Sequence, residues 1–171
     1  KENIQLDNTS IHPKYKFCNG FIILEVDDRL YESKCSTREG DLFIMPFDIQ
    51  PVISRVKNEI KRIFNRGVNP IKFLEKLFHN YEKIVQKENR MMGDQIPIRK
   101  ITTRLGKVQR NFRTDEFIVD LSELIKKSIS NINGYIFGLT QTKDIRAGIL
   151  LYGLESNGYV GFISFRKEGK T

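Results

Sequence analysis

The sequence predicts an α+β protein: a small N-terminal antiparallel β-sheet with a covering helix, followed by a helix-turn-helix half that ends in a β-hairpin or three-stranded sheet. Three observations predict it. Residues 20–46 place branched and aromatic residues between turn formers. Residues 51–87 hold two runs with apolar residues at helical spacing, separated at Gly67 and Pro70. From residue 95 the order is a short extended piece, helix, turn, helix and strands. The natural division is residues 1–67 and 68–171.

Taking the elements in order, residues 1–19 begin polar, and order is expected only from about Tyr15. Phe21–Val26, the turn-prone Asp27-Asp28 and the stretch through Cys35 read as a hairpin, with Ile22, Leu24 and Val26 on one face. A turn at Gly40 leads to a third strand, ended by Pro46. Asp48 suits a cap and Pro51 a first turn, which predicts a helix over 51–66. Its apolar stripe is Ile53, Val56, Ile60, Ile63 and Phe64, with Arg55, Glu59, Arg62 and Arg66 on the solvated side. Asn69 and Pro70 start the next helix, whose apolar face runs from Phe73 to Val85.

Ile96-Pro97-Ile98 is too short for a helix, and Pro97 makes Ile96 extended. A helix over 99–105 follows, closed by Gly106, and another begins at Thr114 and runs to about Ile129. Three strands are expected at Tyr135–Gln141, Gly148–Gly153 and Tyr159–Phe165, the first two joined as a hairpin by Thr142–Ala147. Residues 166–171 read as a frayed tail. In element order, residues 69–153 resemble a winged helix-turn-helix. That resemblance implies that the short extended piece pairs with the later hairpin, and that the hairpin loop is the wing.

Charge places the candidate site. The chain carries 29 Lys and Arg against 21 Asp and Glu, a net +8. Residues 1–47 are slightly acidic, so the excess lies beyond Asp48. Residues 95–114 hold Arg99, Lys100, Arg104, Lys107, Arg110 and Arg113 with no acid among them, and the expected wing adds Lys143 and Arg146. Such a surface suits an acidic polymer. The expected function is a DNA-binding module that holds duplex DNA mainly by its phosphates, as part of a regulator, a replication or partition factor, or a larger DNA-targeting complex. Six phosphate contacts would give a log–log salt slope of about −5.

The second reading is a protein-docking module. If the last helix turns Phe117, Ile118, Leu121, Leu124 and Ile125 inward, then Asp115, Glu116, Val119, Glu123 and Lys126 face out. Acids there repel phosphate, and the apolar Val119 among Glu116 and Glu123 suits a protein partner. A metal-dependent nuclease is the third reading. Glu32-Ser33-Lys34 has the E-x-K half of a metal site, but Asp27 and Asp28 at the hairpin tip are expected to lie out of its reach.

No phosphate-binding glycine loop occurs, and His12 and His79 are too far apart for a metal pair. Cys18 and Cys35 flank the first hairpin and are read as two reduced thiols in a cytoplasmic protein. No catalytic residue, metal or cofactor is expected. No apolar run reaches the roughly 20 residues of a membrane span. Residues 1–10 lack the apolar centre of a signal peptide, and with Lys rather than Met at position 1 the chain reads either as a trimmed one or as part of a longer one.

Overall fold

The alternating segment becomes a four-stranded antiparallel meander, one strand more than its apolar runs predict. A computed structural model describes residues 4–169 of this α+β protein and divides it into two units, Lys1–Arg66 and Gly67–Thr171. In the first, β1 (Lys14–Phe17), β2 (Ile22–Asp27), β3 (Glu32–Thr37) and β4 (Gly40–Pro46) pair in chain order. The unforeseen strand, Lys-Tyr-Lys-Phe, alternates long polar and aromatic side chains and lies on β2 with Tyr15 opposite Leu24. Order also begins earlier than Tyr15. Leu6 bridges to Phe17, and the Asp7 carboxylate accepts from Gly20 N–H. Lys1–Asn3, also expected to be unordered, lie outside the described residues.

Ile22, Leu24, Val26, Ser33, Cys35 and Thr37 form the buried face of this sheet. Helix α1 (Ile49–Phe64) covers it: Phe64 meets Phe21 edge-on at 5.5 Å, and the Arg55 guanidinium lies 5.8 Å from the Phe43 ring centre. The Asp48 carboxylate accepts from Gln50 N–H, which starts the helix at Ile49 rather than Pro51. The buried stripe is Val52, Val56, Glu59 and Ile63, while Ile53 is 42% exposed. The helix is therefore rotated from the face that its apolar residues predict. Glu59, expected on the solvated side, is buried, with its carboxylate 2.8 Å from Arg62 Nε and 3.4 Å from Arg55 Nη2. Two guanidiniums over one carboxylate make that burial tolerable.

In the second unit, α2 (Pro70–Lys87) starts where Asn69 accepts from Ile71 and Lys72 N–H. Then come β5 (Ile96–Pro97), α3 (Ile98–Val108), α4 (Thr114–Lys126), β6 (Asn131–Ile132), β7 (Tyr135–Thr142), β8 (Ile149–Leu150) and β9 (Tyr159–Lys167). The sheet runs β5-β9-β7-β6, with β8 also on β9. The short strand after the first helix of this unit pairs with the last strand, Ile96 opposite Ile163.

The hairpin differs from expectation. Strand β7 pairs along its length with β9, and β8 has only two paired residues, also on β9. The stretch after Leu150 leaves the sheet because Tyr152 N–H donates to Ser122 Oγ, whose own proton goes to the Ile118 carbonyl. The helix ends also shift. α3 runs past Gly106 to Val108, and α4 stops at Lys126, with Ser128 at φ 54. At the tail, β9 continues through Lys167, and Lys170 and Thr171 lie outside the described residues.

Arg62→Ala leaves the buried Glu59 carboxylate with its longer contact to Arg55, and should lower stability by about 1–3 kcal/mol. Arg55→Ala, at a half-exposed position, should cost under about 1 kcal/mol. Urea denaturation of the two variants checks the order. A second prediction concerns the thiols. Burial, reinforced by the nearby Glu59 carboxylate, pushes the Cys35 thiol up to about 12 from 9.0. The folded value exceeds the unfolded one, so this stabilisation is complete below pH 9.0 and is lost as pH rises toward about 12. Cys35→Ala should therefore flatten the alkaline fall in the urea midpoint.

Candidate nucleic-acid interface

The eight cations singled out by the sequence fall into two groups. Four are held within the C-terminal unit. Arg99, at the start of α3, donates from Nη2 to the Gly148 carbonyl at 2.7 Å. Arg104 Nε donates at 3.1 Å to the side-chain oxygen of Asn80, a buried amide whose nitrogen donates to the Lys76 carbonyl. Lys100 meets Glu88 at 2.7 Å, and its hydrogen bond, with help from Arg90, holds the Glu88 carboxyl below its ordinary range. Arg113 lies 3.5 Å from the carboxylate of Asp115, which is 3% exposed.

Lys107, Arg110, Lys143 and Arg146 are exposed, and no described ion pair or side-chain hydrogen bond engages them. Their places follow from local structure. Lys107 is in the last turn of α3. Arg110 begins the turn to α4, where Asn111 takes φ 60 and Phe112 packs on Phe117 at 6.0 Å. Lys143 and Arg146 stand on the loop that leaves β7.

That loop is tightly built. Thr142 Oγ1 accepts from Asp144 N–H, and the Asp144 carboxylate accepts from Arg146 and Ala147 N–H at 2.9 and 3.3 Å. Gly148 N–H then donates to the Asp144 carbonyl. The tip is a side-chain-capped turn, with Lys143, Ile145 and Arg146 pointing outward. At its base the Thr142 side chain fills the space over two glycines. A Cβ on Gly148 would lie 2.8 Å from Thr142 Cγ2, and one on Gly161 2.6 Å from Thr142 Cβ. The Arg99–Gly148 bond ties this base to the start of α3. Lys107 lies eight residues further along that helix, about 12 Å of rise. One cation pair therefore sits near each end of α3.

The tip residues Thr142, Asp144 and Ile145 are absent from the charge-based choice. Their signal was the polar link Thr142–Ala147, with Asp two residues before Arg, an Asx-turn pattern.

The last helix corrects the docking surface expected at Glu116, Val119 and Glu123. Val119 is 5% exposed, Asp115 is buried, and Glu116 is half-buried and engaged. Glu123 is exposed but lies 3.5 Å from Lys126. The reason is packing. α4 buries a broad face from Asp115 to Leu124, wider than the single stripe read from its apolar residues. The nuclease reading also changes in one respect. Asp27, expected out of reach of Glu32, is its cross-strand partner, but its carboxylate accepts from Arg29 and Leu30 N–H. Lys34 pairs with Asp41 at 3.1 Å. Among the described residues no three His, Cys, Asp or Glu side chains form a metal-binding group, and no helix is long and apolar enough to cross a membrane.

Comparison with known proteins finds no family model, no curated protein and no solved structure that matches this chain.

Gly161→Ala should force Thr142 aside and lower stability by about 1–3 kcal/mol. It should also loosen the tip, read as faster hydrogen exchange of the Arg146 and Ala147 amides, with exchange in α2 much less affected.

Proposed function

We propose that the C-terminal unit binds duplex DNA through the phosphate backbone, with the β7–β8 tip as a wing and the end of α3 as a second contact. The observation that carries this reading is the tip itself. It is a capped loop tied to α3 through Arg99, and it presents Lys143 and Arg146 unpaired beside the exposed Ile145. A preformed loop loses little conformational freedom when its cations meet phosphate. The unit's charge supports the reading, with 18 basic residues against 11 acidic ones between Gly67 and Thr171.

Sequence-specific reading by α4 is not part of the proposal. Its exposed Glu123 and the acids of its first turn, Asp115 and Glu116, oppose insertion between phosphates. Contact is by backbone and largely independent of sequence.

Four free cations, rather than six, set the expected salt dependence. Anisotropy of a labelled random duplex should give a log–log slope of about −3.6, and about a hundredfold loss of affinity between about 50 and about 200 mM salt. Replacing Lys143 and Arg146 by Ala should reduce the slope by about 2, as should replacing Lys107 and Arg110. Absence of binding at the lower salt, or a slope unmoved by both double variants, would rule the proposal out.

A further inference from the structure

The C-terminal unit contains a cavity of about 280 Å³ between the end of α4 and the sheet. Its floor is Phe137 of β7, Val160 of β9 and Leu151, all buried. Ile125 at the end of α4, Ile129 just beyond it, Leu139 and Leu154 line it as well. The frame is set by backbone. Ser128 at φ 54 turns the chain off α4, and Gly158 at φ 79 ends the 3-10 turn Glu155–Asn157. No Asp, Glu, Lys, Arg or His lines the space. The polar groups at its edge are neutral. Among them, the side-chain amides of Gln141 and Asn157 are exposed and have no described partner.

From this we infer that the cavity is a binding site for a small, neutral, largely apolar molecule of bicyclic aromatic size, with a hydrogen-bonding group that meets Gln141 or Asn157. Size and charge both select that class. A dry cavity of about 150 Å³ accepts benzene, and drug-sized ligands occupy about 300–1,000 Å³. The space here lies between these limits. A charged ligand would lose its hydration without gaining a counter-charge in the lining. The site is independent of the DNA reading, since none of the eight candidate cations lines it.

The test is titration of the full chain with indole, followed by proton–nitrogen correlation spectra. Saturable shifts centred on the amides of Ile129, Leu151 and Val160 are expected at ligand concentrations up to about 1 mM. Leu154→Trp, which fills the cavity from a half-buried wall, should weaken binding by about tenfold or more. Leu139→Trp, on a second wall, serves the same purpose if the first variant loses the wild-type spectrum. Indole-3-acetate, the same body with an anionic arm, should bind more weakly than indole. The inference is overturned by shifts that do not saturate or that centre elsewhere. It is equally overturned by undiminished indole binding in a folded filled variant, or by indole-3-acetate binding as tightly as indole.

Discussion

Phe165 is fully buried, and its ring meets Phe78 and Tyr81 of α2 at 5.1 Å each and Phe137 of β7 at 5.2 Å. This aromatic group joins the helical layer of the C-terminal unit to its sheet. Offset and edge-on rings add about 0.5–1.5 kcal/mol per pair beyond the area they bury. The strand that carries Phe165 also holds the rest in place. β9 has β7 on one side and both β5 and β8 on the other. Through β5 it sets the start of α3, and through β8 the base of the proposed wing. Tyr81 extends the arrangement outward: its hydroxyl donates to the Asp94 carbonyl and accepts from Gly93 N–H, fixing the loop before β5.

Within that frame, arginine serves two purposes, and charge density alone does not separate them. Arg99, Arg104 and Lys100 find partners 49, 24 and 12 residues away in Gly148, Asn80 and Glu88. The guanidinium fork suits such bracing, because one planar group can satisfy a carbonyl or amide oxygen while its stem packs against a helix. Lys107, Arg110, Lys143 and Arg146, which no described side chain engages, stand instead at the ends of elements, on a tip or in a turn.

The N-terminal unit shows the same influence of packing on a helix. Apolar spacing alone favours a stripe centred on Ile53, Val56 and Ile60. The sheet instead takes Val52, Val56, Glu59 and Ile63, and accepts a carboxylate in exchange for a better fit. Arg55 and Arg62 make that possible, and they do so from within one helical turn of Glu59.

Much of the architecture was legible because its causes are local. Asn69-Pro70 sets the start of α2, Pro97 makes Ile96 extended, and the alternation of β2 marks one face for burial. The α+β class, the order of helices and strands and the position of the basic run follow from such neighbour-scale rules. What sequence alone left open depends on residues remote along the chain. That β7 pairs with β9 along its length, and not with β8, was a match between segments well apart in the chain. Which face of α1 is buried turned on the sheet beneath it, and the exposure of Val119 on how wide a face α4 buries. Local propensity thus determined the elements and where charge is dense. Only the packed tertiary structure decided which side chains are satisfied inside the protein and which remain for something else, because a hydrogen-bond partner is chosen by proximity in space.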